Sequence, residues 1–272
     1  MNRVLFCCFQ FFCGLGLATD YQPWLGNAFE FESRASFYYE QFSCLHGSRS
    51  GSRSISYPSR NGFATLSLAN AFPPGFGIEC AVQEAWTHSQ KGTIDHLKLN
   101  GRYLYWNQLQ GDPFNFLVGC SLIQAFKDSV KDPSSFHHGR REGEFFVSIG
   151  REQFEGMEWT TRYWGLAALG LANRGSPWLR GKLCWEYRFT PKNQMDLFCQ
   201  ALCGVGKHSL FVTHFKGYGS VKHQSIDAGL AYTYWIDFFG SVRFAYSTRL
   251  FARNFPNRAH QFLFEIFYTF GP

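Results

Sequence analysis

Long apolar runs are missing from this chain of 272 residues, and this absence excludes a helical membrane anchor. A transmembrane helix needs about 18 or more consecutive apolar residues, and no segment reaches that length. Charged residues are also scarce, at 17% of the chain, and methionine occurs only three times. If this chain resides in a membrane, it must cross the membrane with strands, as a closed barrel.

Signature motifs of several enzyme classes are also missing. The sequence contains no phosphate-binding glycine loop, no paired CxxC and no zinc-protease motif. His137 and His138 lie beside Arg140 and Arg141, but no third metal ligand is near them in sequence, so we expect a solvated loop. The sequence therefore predicts no metal site, no cofactor and no nucleic-acid partner.

Cysteine is present in nine copies, three of which fall within the first 18 residues. An even number of cysteines in an exported chain permits disulfides. Cys199 and Cys203, however, are four positions apart on an extended segment and so about 13 Å apart, too far for a bond. Several cysteines share the parity of apolar neighbours, which favours small hydrophobic side chains facing lipid. The six remaining cysteines, whose pairing stays open, are Cys44, Cys80, Cys120, Cys184, Cys199 and Cys203.

The first 18 residues have the pattern of a secretory signal peptide. Arg3 supplies positive charge, residues 4–13 form an apolar core, and small residues surround a cleavage point after Ala18. The predicted organisation is a signal peptide at 1–18, a periplasmic N-terminal segment at 19–28 and one barrel domain at 29–270.

Aromatic residues are abundant: 31 Phe, 13 Tyr and 8 Trp. The mean hydropathy is nevertheless only −0.21. Strands whose apolar and polar faces alternate produce this combination, because the two faces cancel in any average. Composition also permits a secreted lectin-like sandwich, so the decision rests on the pattern of the strands.

The last strand shows the alternation most clearly. Phe262, Phe264, Ile266, Tyr268 and Phe270 occupy one face, close to the end of the chain. This segment resembles the terminal strand of a Gram-negative outer-membrane β-barrel, in which a final aromatic residue belongs to the assembly signal. The resemblance implies that the barrel assembly machinery recognises Phe264, Tyr268 and Phe270. An edge strand of a soluble sandwich is the alternative.

Twelve strands with this alternation can be placed along the chain, and the connections between them alternate in length. Short turns at 72–74, 111–113, 154–156, 190–192 and 236–237 are interleaved with longer connections, among them 43–61, 127–142 and 205–222. Outer-membrane barrels have short periplasmic turns and longer external loops. The sequence therefore predicts an all-β, antiparallel, up-and-down transmembrane β-barrel in the outer membrane of a Gram-negative bacterium.

The polar parity predicts which residues face the lumen. Mixed charges in a narrow barrel favour a network of ion pairs over a wide pore. The predicted lumen-facing residues are Lys98, Arg102, Arg162, Arg180, Lys182, Arg188, Arg243, Arg249, Glu30, Glu32, Glu186 and Asp196.

External loops collect most of the remaining positive charge. A basic outer rim pairs with lipopolysaccharide phosphates, or captures anionic solutes or sulfated glycans. The rim residues are Arg49, Arg53, Lys127, Lys131, Arg140, Arg141, Lys216, Arg253 and Arg258.

Three functions follow as hypotheses. The first is a small passive channel or transporter for polar solutes, anions among them. The second is a non-conducting surface protein that binds lipopolysaccharide or host glycans. The third is a lipid hydrolase, because His223 and Ser225 resemble the His-x-Ser pair of outer-membrane phospholipase A. Ile226 and Asp227 replace that family's Asn-Gly, and Ser225 has the lumenal parity, so no catalytic residue is assigned.

Overall fold

The computed structural model describes residues 21–47, 53–156, 158–213, 215–237 and 240–271. The predicted signal peptide and Arg49 lie outside the described residues, and so does the side chain of Arg53. Within these ranges, no helix combines the length and the apolar character needed to cross a membrane.

Twelve long antiparallel strands form a closed barrel, which confirms the predicted fold. A thirteenth strand has only two residues, and single 3-10 turns lie at Gln108–Gln110, Ser129–Lys131 and Tyr218–Ser220. The strands are β1 Phe31–Gly47, β2 Arg53–Phe72, β3 Phe76–Trp86, β4 Lys91–Trp106, β5 Asn115–Ala125, β6 Arg141–Glu155, β7 Glu158–Ala172, β8 Trp178–Thr190, β9 Asn193–Gly204, β10 Gln224–Asp237, β11 Gly240–Arg253, β12 Pro256–Asn257 and β13 His260–Phe270.

The barrel closes between its first and last long strands. Each long strand pairs with its neighbours in the chain, and β1 pairs with β13 from Phe31 opposite Phe270 to Gln41 opposite His260. Closure leaves no unpaired strand edge, so the backbone groups of the wall are satisfied without water.

The two ends of the barrel differ in the predicted direction, with two exceptions, of which the first is the turn predicted at 111–113, where the connection spans 107–114. Short turns join β2 to β3, β6 to β7 and β8 to β9, whereas 126–140, 205–223 and 254–259 form longer connections at the opposite end. The connection predicted at 43–61 is mostly strand, because the β1–β2 ladder continues to Gly47 opposite Arg53. Its polar, serine-rich sequence did not reveal that Phe42 and Leu45 are buried beneath the outer loops, where they anchor the extended hairpin.

Apolar side chains face outward and polar side chains face inward. On β4, the outward-facing Leu97 and Leu99 are each 46% exposed. Asn100, on the same strand but on its opposite face, is 0% exposed. Outward Phe, Leu and Tyr side chains continue around the wall. This is the pattern of a wall between lipid and a polar interior.

Five cysteines lie on the strands of the barrel wall. Cys80, Cys120 and Cys199 are exposed on the strands, and Cys44 and Cys203 are half-buried. Within the described part of the chain, none of these five forms a disulfide.

Candidate functional site

The inner face of the barrel is organised around buried ion pairs. The Arg249 guanidinium donates from Nε to Asp227 at 2.7 Å and lies 3.5 Å from Glu40. These three side chains come from β11, β10 and β1, so closure of the barrel brings them together. A buried cation between two carboxylates has its charge compensated in a region with little water.

Further ion pairs join strands that are adjacent or one strand apart on the inner face. Arg162 donates from Nε to Glu152 at 2.6 Å, and Arg243 lies 3.0 Å from Asp196. Arg180 pairs with Glu144, whose parity in the sequence also predicted a lumenal position. The Glu186 carboxylate accepts a hydrogen bond of 2.7 Å from the Trp164 indole.

Other predicted lumenal cations lie over aromatic rings. The Lys98 ammonium is 4.8 Å from the Tyr21 ring, Lys182 is 5.1 Å from the Trp164 ring, and Arg188 is 4.0 Å from the Trp159 ring. Such contacts are attractive because the ring face carries partial negative charge. Of the remaining predicted lumenal residues, Arg102 is buried, Glu32 pairs with Arg34, and Glu30 accepts from Asn27.

An N-terminal stretch enters the barrel from the short-turn end. Of the segment 19–28, expected in the periplasm, residues 21–25 contact inward-facing side chains. Tyr21 stacks on Phe146 with ring centroids 3.8 Å apart, and Gln22 donates to Glu186 at 3.3 Å. The Arg162 guanidinium lies 4.6 Å from the Trp24 ring.

Gly150 provides the space for this stretch, because a Cβ there would lie 2.6 Å from Pro23 and 3.0 Å from Trp24. The only sign in the sequence that this segment packs inside the barrel was its aromatic content, Tyr21 and Trp24 within five residues. We refer to residues 21–25 as the inner plug.

The outer end is covered by connections 126–140, 205–223 and 254–259, which together we call the cap. Phe136, Phe215, Tyr218 and Phe255 pack there against one another, and Tyr218 is completely buried. The Tyr218 hydroxyl donates to the Pro133 carbonyl at 2.7 Å, which joins two of the three connections.

The neighbouring connection 173–177 packs against the cap through a glycine. Gly175 has φ +98°, and a Cβ there would lie 2.3 Å from the Gly219 backbone. The Ser176 amide donates to the Gly219 carbonyl at 2.6 Å, which fixes this contact. Only glycine is compatible with both the backbone conformation and the close approach.

His137 and His138 are buried in the cap, which corrects the expectation of a solvated loop. His138 stacks on Trp178 with centroids 3.6 Å apart, and its Nε2 lies 3.3 Å from Nε2 of His223. Burial lowers the pKa of His138 well below its usual value, and His223 and His137 add to this effect. The sequence did not reveal this burial because its apolar partners are distant in the chain.

His137 has a different environment. Burial alone would lower the pKa of His137, but the Asp95 and Glu142 carboxylates outweigh it and raise the pKa to about 10. His137 Nε2 lies 2.8 Å from Asp95 Oδ2, and His96 Nδ1 lies 2.9 Å from the same oxygen. Asp95, His96 and His137 were not predicted as a site, because the third residue comes from a connection some 40 positions away.

Between the inner plug and the cap lies a cavity of about 250 Å³. Tyr21 borders it on one side, and Phe136 and Phe255 border it on the other. Its lining carries seven carboxylates and four Lys or Arg side chains, so the cavity itself is not basic. The carboxylates are Glu40, Glu79, Asp95, Glu142, Glu144, Asp227 and Glu265, and the cations are Arg34, Lys98, Arg180 and Arg249.

The His-x-Ser pair is divided between two environments. His223 is completely buried, with its Nδ1 3.0 Å from the Val221 carbonyl and its Nε2 directed to His138. Ser225 lines the cavity, as its parity predicted. A hydroxyl in the lumen is remote from acyl chains in the bilayer, so this geometry gives no support to lipid hydrolysis.

The described basic rim residues are exposed at the outer end of the barrel. Lys131 lies 3.8 Å from Asp128, an exposed pair of little energetic weight. The exposed set is Lys127, Lys131, Arg140, Arg141, Lys216, Arg253 and Arg258.

The residues assigned to the assembly signal face outward on β13. Tyr268 and Phe270 are 49% and 43% exposed, and Phe264 is half-buried. Phe270 stacks on Phe31 across the closing pair of strands, with centroids 5.6 Å apart.

Solved structures share this architecture. An outer membrane channel from Pseudomonas putida F1 has a TM-score of 0.61 at 9% identity, covering 94% of this chain and all of the channel. The NanC porin has a TM-score of 0.59 at 7% identity, covering 88% of this chain and 98% of its own. The KdgM porin has a TM-score of 0.55 at 10% identity, covering 88% and 99%.

KdgM is also known in complex with disordered oligogalacturonate. No protein-family model matches the sequence, and no curated protein matches it. At these identities the likeness establishes the fold alone, a closed antiparallel β-barrel of the kind found in Gram-negative outer-membrane proteins.

Proposed function

We propose that the protein is a gated passive channel for small polar solutes, anions among them, across the outer membrane. The observation that carries this proposal is the cavity between the inner plug and the cap, which charged side chains line. A barrel that only anchors a protein in the membrane does not require a central cavity lined by charged side chains. The fold shared with an outer membrane channel and two porins supports the same function.

The size of the barrel limits the solutes. Open aqueous pores are formed by barrels of about 16 to 18 strands, whereas a barrel of about eight is filled by its own side chains. Twelve strands with a cavity of about 250 Å³ suit single small molecules. Conduction requires both the inner plug and the cap to move, so the barrel is gated.

Charge selectivity depends on two regions with different composition. The exposed rim is basic and attracts anions toward the barrel from a distance. The cavity has more carboxylates than cations, which opposes selection of anions within it. We therefore expect a modest anion preference that weakens as salt screens the rim.

Planar bilayer recording of the mature chain tests this proposal. We expect discrete openings, and we expect larger or more frequent openings in a variant that lacks residues 19–25. Tyr21→Ala combined with Trp24→Ala keeps the chain length and should change the openings in the same direction, because the contacts with Lys98 and Arg162 are lost. Electrical silence of all three proteins, after each is shown to be folded, would refute the proposal.

A second candidate function is binding at the cell surface without conduction. Two features favour this function, the packed cap at the outer end and the inner plug at the short-turn end, since together they close both ends of the barrel. In this case the basic rim would bind lipopolysaccharide or sulfated glycans. Electrical silence combined with heparin binding that falls steeply with salt would support this function.

A further inference from the structure

Three side chains meet at the outer end of the cavity with the chemistry of a metal site. Asp95 and His96 are consecutive residues near the start of β4, and His137 descends from the cap. One potential ligand atom from each residue lies within 4.8 Å of the other two. Asp95 and His137 are buried, and His96 is half-buried on the cavity wall.

The Asp95 carboxylate is satisfied on one side only. Its Oδ2 lies within 2.9 Å of both imidazoles and also accepts from the Gln83 amide at 2.9 Å. Its Oδ1 is buried and has no hydrogen-bond partner within the described residues. A buried carboxylate oxygen without a partner is costly, and coordination of a cation would compensate this cost.

His137 is held in the manner of a metal ligand. One ring nitrogen, Nε2, faces Asp95, and the other, Nδ1, lies 3.4 Å from Glu142 Oε1, within ion-pair distance but without hydrogen-bond geometry. Glu142 is itself fixed, because it accepts from the His138 amide at 2.6 Å and from the Gly139 amide at 3.1 Å. A carboxylate behind a ligating histidine orients the ring and increases its basicity.

We propose that Asp95, His96 and His137 bind a divalent transition-metal ion of the zinc type. Two imidazoles and one carboxylate form a ligand set suited to Zn²⁺ and unlike the all-oxygen sets that Ca²⁺ and Mg²⁺ take. The cavity beside His96 leaves the remaining coordination position accessible to water or to a solute.

The metal would connect the cap to the barrel wall. His137 belongs to the connection 126–140, whereas Asp95 and His96 belong to β4. An ion shared between them stabilises the covered state by its binding free energy. Metal binding does not depend on whether the barrel conducts, because all three ligands are already together when the cap covers the barrel.

Isothermal titration with Zn²⁺ tests the site on the mature, untagged chain, folded in detergent and stripped of metal with a chelator. Its thiols must first be alkylated, because cysteine thiolates are themselves zinc ligands. We expect one Zn²⁺ per chain, and at least a tenfold weaker affinity in His96→Gln and in His137→Gln. Glu142→Gln should weaken binding by about tenfold through the orientation of His137.

His208→Gln is the matched control, since His208 is exposed on the connection 205–223. It should bind as the wild-type chain does. Heat-modifiable gel mobility shows whether each variant is folded. If the substitution of the buried His137 prevents folding, His96→Gln still tests the site, because His96 is only half-buried. Absence of zinc binding by the wild-type chain would overturn the proposal, as would equal binding by His96→Gln and His208→Gln.

Substitution of Co²⁺ provides an independent readout. A bound Co²⁺ with nitrogen and oxygen ligands gives visible absorption that His96→Gln should remove and His208→Gln should preserve. If the three residues only form a hydrogen-bonded chain, no such absorption appears, and the proposal fails.

Discussion

Arg249 illustrates how single residues stabilise this barrel. It is buried on the inner face of β11, where Asp227 and Glu40 compensate its charge and the Pro256 carbonyl accepts from its Nη1 at 3.1 Å. Pro256 belongs to β12, which pairs with β1 at Leu45. The same guanidinium therefore connects three wall strands with the base of the cap.

We expect Arg249→Met to lower the free energy of unfolding by about 3 kcal/mol or more. The change leaves two buried carboxylates without their cation, and breaking a buried pair from one side is strongly destabilising. Urea unfolding in detergent measures the effect. Arg258→Met, which removes an exposed cation from the same end, should change stability by no more than about 0.5 kcal/mol. Equal stability of the two variants would contradict the role of the Arg249 ion pairs.

His223 makes the cap sensitive to acid. It lies just before β10, and burial lowers its pKa to about 4 despite the Val221 carbonyl. Its titratable neighbours are His138 and Tyr218, with ring centroids 5.1 Å and 5.3 Å away. An unpacked histidine titrates near pH 6.5, so between about pH 6.5 and pH 4 the open cap binds a proton that the closed cap does not.

The closed cap should therefore lose stability as the pH falls from about 6.5 to 4. Above about pH 6.5 His223 is neutral in both states, so its titration does not change the stability of the cap. Amide hydrogen exchange of residues 205–223, measured at pH 7.5 and 4.5 with chelator present, reports this change after correction for intrinsic rates. His223→Phe should reduce the acid sensitivity, and the exposed His208→Phe should not. The same acid response in both variants would show that another group is responsible.

Among the elements, β13 combines two roles. It closes the barrel against β1, and it carries the outward aromatic side chains that resemble an assembly signal. Both roles concern its last residues, where Phe270 stacks on Phe31 at the short-turn end.

We predict that Phe270→Ser will reduce insertion into the outer membrane, because it removes the terminal aromatic residue. Phe145→Ser is the matched control: Phe145 is 62% exposed on β6, so its loss removes an outward phenyl ring from a wall strand that does not contact β13. The amount of heat-modifiable protein in outer-membrane fractions measures insertion. If both variants insert equally, β13 is one more wall strand and not the signal.

At the scale of the whole molecule, closure is the dominant feature. Neighbouring strands pair around the complete circumference, and ion pairs and aromatic contacts fill much of the interior. A closed barrel has no edge from which unfolding or detergent attack can begin.

The folded protein should therefore remain compact in cold dodecyl sulfate and run differently from the heated protein on a gel. It should also stay in the membrane fraction after a carbonate wash, with residues 1–18 removed, which mass spectrometry of the mature chain can establish. A mature chain that is soluble in the periplasm would contradict the assignment to the membrane. An intact N-terminus on a correctly inserted barrel would contradict only the signal peptide.

The sequence by itself determined the wall. Strand count and the division of each strand into an apolar and a polar face follow from an alternation with period two, since that alternation is local and is repeated in every strand. The short turns and longer loops between the strands then predict the antiparallel order and the barrel's orientation. The sequence also predicted that cations and carboxylates such as Arg249, Arg162 and Asp196 share one face of their strands, and the structure pairs these side chains with one another or with other charged residues.

Only the tertiary structure decided what fills the wall. Tyr21 is a few residues from the predicted cleavage point but packs against Phe146, and His137 meets Asp95 across 42 positions of sequence. Such contacts depend on how irregular segments fold back, and no periodic pattern records that path. The wall is specified by a repeated local pattern, whereas the inner plug, the cap and the Asp95, His96 and His137 cluster arise from contacts that exist only after closure.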